Sequence, residues 1–155
     1  MNYGYITVAS AIPSVRVADA DYNIKQIESL IAQAEGKGAE IIVFPELSVT
    51  GYSCQDLFAQ QTLLDQTEMK ILQLLDFSRM LDIICIIGAP VCIGTGLYNC
   101  AVVCQHGNIL GIVPKRYLPN YGEFYEKRWF ASADDLDRPT EVRFAGNTIT
   151  VSPYI

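Results

Sequence analysis

The sequence has little charge and only one histidine, and these shortages exclude several functions. Charged residues make up 18% of the 155 residues, and 11 basic against 17 acidic side chains leave a formal net charge of −6. No stretch concentrates lysine or arginine, so we expect no nucleic-acid partner. The sequence has neither a secretory signal nor an apolar run of membrane-spanning length. It therefore predicts no membrane association and a cytoplasmic protein.

The five cysteines show no disulfide or metal-binding pattern. They occupy positions 54, 85, 92, 100 and 104 without a CxxC pair, and the single histidine is His106. An odd number of thiols without an export signal predicts reduced cysteines, and their spacing disfavours a zinc site. Most lie in apolar runs such as Ile83–Ile87, where a buried cysteine acts as a small hydrophobe. We expect no metal in this chain.

Apolar strands alternate with amphipathic helices, which predicts an α/β fold. A first strand is expected over residues 3–11, and a helix over 22–35 begins after Asp19 or Asp21 as its N-cap. The order of helices and strands, followed by hairpins, favours a sheet with helices over a helical bundle. The further predicted elements are strands at 41–44, 83–88, 97–104 and 109–113, a helix over 62–81 with Leu64, Ile71, Leu72, Leu75 and Met80 inside, a hairpin turn at 105–108, and a weak strand pair around 145–147.

Glu46 stands directly after a predicted strand, in a position suited to proton transfer. It follows the apolar stretch Ile41–Phe44 and Pro45, and the proline restricts the direction in which the next side chain leaves the strand. Ligands of α/β sheets gather at the carboxyl ends of strands, where a carboxylate is partly desolvated. Glu46 is therefore a candidate general base, and a solvated loop glutamate is the alternative.

Lys115 has the same placement at the end of another strand. It follows the apolar stretch 109–113 and Pro114, much as Glu46 follows Pro45. An ammonium there can stabilise the oxyanion that forms when an amide carbonyl is attacked, and a solvated surface lysine is the alternative. A base and a cation at two strand ends suit acyl transfer, a reaction that also needs a nucleophile.

Longer motifs around these two residues resemble those of a known family. Ile41–Tyr52 resembles the glutamate motif of the nitrilase, or carbon–nitrogen hydrolase, superfamily, and Pro114–Pro119 resembles its lysine motif. Asn120–Phe130 and Gly51–Phe58 narrow the resemblance to the glutaminase domains of glutamine-dependent NAD synthetases. The resemblance implies a four-layer αββα sandwich of the nitrilase type, of which residues 1–155 are the N-terminal, incomplete part of one domain.

The resemblance implies roles for five residues. Glu46 is the general base, and Lys115 stabilises the tetrahedral intermediate. Glu123, eight positions after the lysine, matches the second glutamate that positions the lysine and the substrate. Tyr121 and Tyr52 match tyrosines that contact glutamine, because a phenol offers an apolar wall and one hydrogen-bonding tip. Ordinary packing is the alternative for each tyrosine.

The nucleophile that the resemblance implies is a cysteine on a strand after the lysine motif, and no cysteine follows Lys115 in this sequence. Cys54 belongs to the glutamate-loop motif, and Cys100 and Cys104 precede the lysine on a strand where burial is expected. Nothing in their surroundings predicts a reactive thiol. We therefore expect a chain that is inactive alone and whose uncovered sheet face causes self-association or poor folding.

The implied function is hydrolysis of the glutamine side-chain amide, which supplies ammonia for the ATP-dependent amidation of deamido-NAD to NAD. The implied partners are glutamine, the C-terminal remainder of the domain, a synthetase domain that binds ATP and Mg, and further copies in a homo-oligomer. We expect no cofactor in these 155 residues. The alternatives are another carbon–nitrogen hydrolase, such as an amidase, carbamoylase or nitrilase, and a non-catalytic module that binds glutamine or a partner.

Overall fold

The computed structural model of the chain describes residues 4–152 and residue 154. Its helices and strands are β1 (Val8–Ser10), α1 (Ala20–Glu35), β2 (Ile41–Val43), α2 (Gln61–Phe77), β3 (Ile84–Ile93), β4 (Gly96–Gln105), β5 (Asn108–Pro114), β6 (Thr140–Phe144) and β7 (Asn147–Val151). One sheet has the strand order β1-β2-β3-β4-β5, and β6 and β7 form a separate hairpin. Strands β1 to β3 pair in parallel, and β3 to β5 pair antiparallel. The α/β class predicted from the sequence is confirmed.

Helix α1 forms because its sequence supplies both a cap and an apolar stripe. The Asp19 carboxylate accepts a hydrogen bond of 3.0 Å from the backbone amide of Tyr22 and so begins the helix. Ile24, Ile27 and Ile31 recur on one face and are fully buried. These side chains join those of α2 and the sheet in one hydrophobic core.

The side chains of the sheet alternate between a buried face and an open face. Ile42 and Ile87 are fully buried in the core that both helices cover. Val43 and Ile86 pair across β2 and β3 on the opposite face, where Val43 is 40% exposed. Within the described residues the open face therefore presents apolar side chains without a covering layer. Self-association through it stays a prediction.

The turns follow the sequence closely, whereas several element ends differ from the prediction. Among the described residues, β1 covers only Val8–Ser10 of the strand predicted over 3–11. His106 and Gly107 have φ angles of 50° and 77°, so the predicted hairpin turn between β4 and β5 is confirmed. Strand β3 continues to Ile93, beyond the predicted end at residue 88, because its pairing with β4 continues through Pro90 opposite Asn99. Helix α2 ends at Phe77 and is followed by a 3₁₀ turn. Within residues 4–152, no helix has the length and apolar character needed to cross a membrane.

Candidate active site

Lys115 is held between two carboxylates. Its Nζ lies 2.9 Å from Oε2 of Glu46 and 3.1 Å from Oε1 of Glu126. The Lys115 side chain is 21% exposed, Glu126 is 2% exposed and Glu46 is 51% exposed. Burial acts to lower the pKa of Lys115, but hydrogen bonds to the two carboxylates and their charges outweigh it and raise that pKa. Lys115 is therefore a fixed cation and hydrogen-bond donor.

The fold brings Glu46 and Lys115 together across the middle of the sheet. The chain after β2 passes over β3, where the amide of Val49 donates a hydrogen bond of 3.2 Å to the carbonyl of Gly88. The amide of Lys115 donates to the carbonyl of Asn99 at 2.8 Å, which extends the pairing of β5 with β4. The two side chains therefore depend on backbone hydrogen bonds to the central strands, so the sheet fixes their separation.

Asn99 is a site residue that the sequence analysis missed. Its Nδ2 donates to Oε2 of Glu46 at 3.1 Å, and its side chain is 3% exposed. Lys115 donates to the same oxygen, and among the described residues no hydrogen bond reaches Oε1 of Glu46. The available signal was an isolated amide in the otherwise apolar run Tyr98–Val103, because a buried amide must find a partner.

The glutamate that contacts the lysine is Glu126, which corrects the prediction that Glu123 makes this contact, whereas a role of Glu123 toward the substrate stays a prediction. The 3₁₀ turn Glu126–Arg128 is anchored by a hydrogen bond of 3.1 Å from the Glu126 amide to the carbonyl of Pro119, and the Glu126 side chain is buried beside Lys115. Glu123 instead lines a separate surface pocket of about 110 Å³. Counting positions along the motif could not separate two glutamates three residues apart, because only the turn decides which one points inward.

The two predicted tyrosines have different surroundings. The Tyr52 hydroxyl donates to Oε1 of Glu126 at 2.5 Å, so Tyr52 belongs to the network around the lysine. Desolvation, the hydrogen bond to Glu126 and nearby negative charge raise the pKa of Tyr52 well above its usual range. Tyr121 is 73% exposed and contacts the ring of Phe124, with 6.3 Å between ring centroids. The structure does not bring Tyr121 to Lys115, and contact of either tyrosine with glutamine stays a prediction.

Glu126 also presents a buried acceptor without a donor. Lys115 and Tyr52 both donate to its Oε1, whereas Oε2 is buried and has no hydrogen-bond partner among the described residues. An unpartnered buried acceptor costs about 1–3 kcal/mol. The carboxylate that accepts from Lys115 through Oε1 therefore has a second oxygen, Oε2, without a donor among the described residues.

A cavity of about 280 Å³ lies on the open face of the sheet beside these groups. Glu46, Lys115 and Asn99 supply its polar atoms, and Ile86 and Val113 belong to its apolar lining. A proton acceptor and a fixed cation beside an apolar surface suit a substrate that carries an amide carbonyl on a short aliphatic stem.

The thiols stand apart from this arrangement. Cys100 borders the cavity, but strand alternation places its side chain on the buried face with Val102, and burial raises the pKa of its thiol. The Cys54 thiol donates to the carbonyl of Thr50 at 3.1 Å, and burial raises its pKa too. Within the described residues no thiol hydrogen-bonds to Glu46 or Lys115, and no group of three or more histidine, cysteine or acidic side chains could hold a metal ion.

Comparison with known proteins gives matches over most of the chain. A glutamine-dependent NAD(+) synthetase of Mycobacterium tuberculosis is 38% identical over 132 residues, covering 85% of this chain and 19% of that protein. A protein of the same name from Arabidopsis thaliana is 40% identical over 114 residues, covering 74% of this chain and 16% of that protein. The chain therefore spans about a fifth of the length of these curated relatives or less.

Solved structures match over a larger share of the chain. A glutamine-dependent NAD(+) synthetase from Cytophaga hutchinsonii superposes with a TM-score of 0.85 at 27% identity, covering 94% of this chain and 25% of that one. An amidase from Nesterenkonia sp. has a TM-score of 0.68 at 23% identity, covering 94% of this chain and 54% of that one, which shows a common nitrilase-type fold. The family model for carbon–nitrogen hydrolases matches residues 7–152. The chain belongs to the carbon–nitrogen hydrolase family.

Proposed function

We propose that this chain carries the general base and the oxyanion-stabilising lysine of a glutaminase that supplies ammonia for NAD synthesis. The observation that carries the proposal is the position of Lys115 between Glu46 and Glu126, at 2.9 and 3.1 Å. The sequence similarity to glutamine-dependent NAD synthetases over 85% of the chain supports glutamine as the substrate. Glu46 is the catalytic base, Lys115 binds the oxyanion, and Glu126 takes the positioning role.

In the proposed reaction Glu46 takes the proton of a cysteine thiol while the sulfur attacks the amide carbonyl of glutamine. Lys115 donates to the oxygen as it becomes an oxyanion. When the carbon–nitrogen bond breaks, Glu46 returns its proton to the nitrogen and ammonia leaves a thioester. Glu46 then takes a proton from the water that attacks the thioester. It returns this proton to the sulfur as the carbon–sulfur bond breaks, which releases glutamate and restores the thiol. The unoccupied Oε1 of Glu46 is the atom that accepts these protons.

The cysteine and the covering layer of the site come, in this proposal, from the C-terminal remainder of the domain. The chain spans 19% of the Mycobacterium tuberculosis relative. In a parent protein of similar length, the rest of the chain would supply the remainder of this domain and a synthetase domain. That synthetase domain would bind ATP and Mg and use the ammonia to amidate deamido-NAD. The chain alone is proposed to be inactive, and the parent enzyme is proposed to act as a cytoplasmic homo-oligomer.

A chimaera tests the proposal directly. Residues 7–152 replace the matching segment of the Mycobacterium tuberculosis enzyme, and glutamate release from glutamine is measured. We expect activity, and we expect Glu46→Gln and Lys115→Ala each to reduce kcat at least about 100-fold. Glu141→Gln, an exposed glutamate of β6, is the matched control and should retain activity. Full activity of both site variants would refute the assigned roles.

The same chimaera distinguishes the proposed glutaminase from two other functions. The fold shared with the Nesterenkonia amidase keeps an aliphatic amidase as a second candidate, and it predicts hydrolysis of butyramide in preference to glutamine. A non-catalytic module predicts that the chimaera releases no glutamate, while the 155-residue chain itself binds glutamine by calorimetry. Hydrolysis of glutamine with little activity on butyramide supports the glutaminase over both.

A further inference from the structure

Two irregular segments carry Glu126, which contacts Lys115, and Tyr52, which hydrogen-bonds to Glu126. Tyr52 begins the 3₁₀ segment Tyr52–Ala59, and Glu126 begins the turn Glu126–Arg128. In the first segment Gln55 has φ 52° and ψ −132°, a conformation that residues other than glycine rarely adopt. Such a backbone persists only where surrounding contacts fix it. The position of Tyr52 therefore depends on what ties its segment to the rest of the chain.

Asp56 provides such a tie with three hydrogen bonds. Arg128 donates to both carboxylate oxygens, from Nε at 2.7 Å and from Nη2 at 3.0 Å, and the Trp129 indole donates at 3.0 Å. The two-pronged arginine contact fixes orientation as well as distance. Hydrogen bonds from Arg128, and then from Trp129, hold the pKa of Asp56 at about 2. The carboxylate therefore keeps its charge in mildly acidic solution as well as at neutral pH.

The tie joins the same two segments as the hydrogen bond between Tyr52 and Glu126. Asp56 lies four residues after Tyr52, and Arg128 lies two residues after Glu126, so a slide of one segment past the other would strain both contacts. We propose that Asp56 is a positioning residue, which holds the Tyr52 segment against the Glu126 turn and thereby keeps the Tyr52 hydroxyl on Glu126 and the Glu126 carboxylate on Lys115. The catalytic consequence rests on the proposed function, whereas the structural claim does not.

The structural claim is tested in the 155-residue chain with Asp56→Asn. The readout is the rate at which the Tyr52 hydroxyl proton, held in its 2.5 Å hydrogen bond, exchanges with water in NMR, with its resonance assigned by Tyr52→Phe. Asp76→Asn is the matched control, because Asp76 pairs with Arg79 Nε at 2.8 Å and is as exposed as Asp56, at 69%. We expect Asp56→Asn to speed exchange at least about tenfold and Asp76→Asn to leave it within about twofold.

Exchange in Asp56→Asn equal to that of the wild type would overturn the proposal. If that variant does not fold, Arg128→Gln, which cuts the same tie from its other side, must speed exchange in its place, and wild-type exchange there overturns the proposal equally. In the chimaera, Asp56→Asn should lower kcat about tenfold with KM within about twofold. Faster exchange with unchanged kcat would overturn the catalytic consequence. A wild-type chimaera without glutaminase activity would sink the proposed function while the exchange result still decides the role of Asp56.

Discussion

Replacement of Gly88 by alanine should displace the carboxylate of Glu46 from Lys115. A Cβ on Gly88 would lie 2.7 Å from the carbonyl carbon of Glu46 and closer still to the backbone of Pro45 and Leu47. Ordinary contacts between such atoms need about 3.5 Å. The obstructing atoms belong to the backbone and cannot rotate away, so the segment that carries Glu46 must move by about 1 Å.

The size of the effect follows from the distances at the site. A shift of about 1 Å would lengthen the 2.9 Å contact of Glu46 with Lys115 and the 3.1 Å contact with Asn99 beyond hydrogen-bonding range. Overpacking of this kind costs about 1–3 kcal/mol in the free energy of unfolding. A misplacement of about 1 Å at a catalytic group costs up to about 100-fold in rate.

Urea unfolding of the 155-residue chain and glutamate release by the chimaera measure the two effects. Gly88→Ala should lower the urea midpoint by about 1 M, given slopes of about 1–3 kcal/mol per molar urea. Gly111→Ala is the matched control, because Gly111 lies in β5 and a Cβ there meets no atom within 4 Å. Its stability should be equal to that of the wild type or higher. Equal urea midpoints and rates for the two variants would refute the close approach of the Glu46 loop to β3.

The other predictions concern the charges of the site. Lys115→Met should lower the free energy of unfolding by about 2–4 kcal/mol, because it leaves the buried Glu126 unpaired, whereas Lys25→Met at an exposed helical pair should change the urea midpoint little. Folding raises the pKa of Tyr52 and of Lys115 above the values of about 10 that they have in the unfolded chain. The stability that their protonated forms contribute is complete below about pH 10 and is lost as pH rises through the folded pKa values. The loss of stability at alkaline pH should therefore be less steep in Tyr52→Phe. An equally steep alkaline loss in that variant would show that the phenol does not contribute. Asn99→Ala in the chimaera should lower kcat about tenfold, because one donor to the base is lost, and an unchanged kcat would remove Asn99 from the site.

The sequence predicted the parts of the site that follow from strand ends. Glu46 and Lys115 each come directly after an apolar run and a proline. The carboxyl ends of strands that run in the same direction lie at one edge of a sheet. The same rule explains why their meeting could be expected without knowledge of any contact. The structure then supplied the distance between them and the hydrogen bonds that fix it.

The parts that were missed depend on contacts between distant segments. Asn99 lies in a strand interior, where an amide has no local signal beyond its isolation among apolar residues. Of the inner residues predicted for the helix over 62–81, Leu72 is 50% exposed, and Met80, which lies in the 3₁₀ turn after α2, is 91% exposed. Leu74 and Thr67 are buried instead. Thr67 is polar and therefore does not belong to the apolar pattern. It can be buried because its hydroxyl donates a hydrogen bond of 2.8 Å to the carbonyl of Leu63.

The two carboxylates on Lys115 differ in burial, and this difference bears on the proposed reaction. Glu46 is 51% exposed, and in the proposed reaction it would take up and release protons, so that its attraction for Lys115 would be interrupted in each cycle. Glu126 is 2% exposed and keeps its 3.1 Å contact from the other side. A lysine with Glu46 as its sole partner would lose its counter-charge when the oxyanion needs the cation in place. In the proposed reaction the buried Glu126, which also accepts a hydrogen bond from Tyr52, would therefore keep the one ammonium in place through both halves of the reaction.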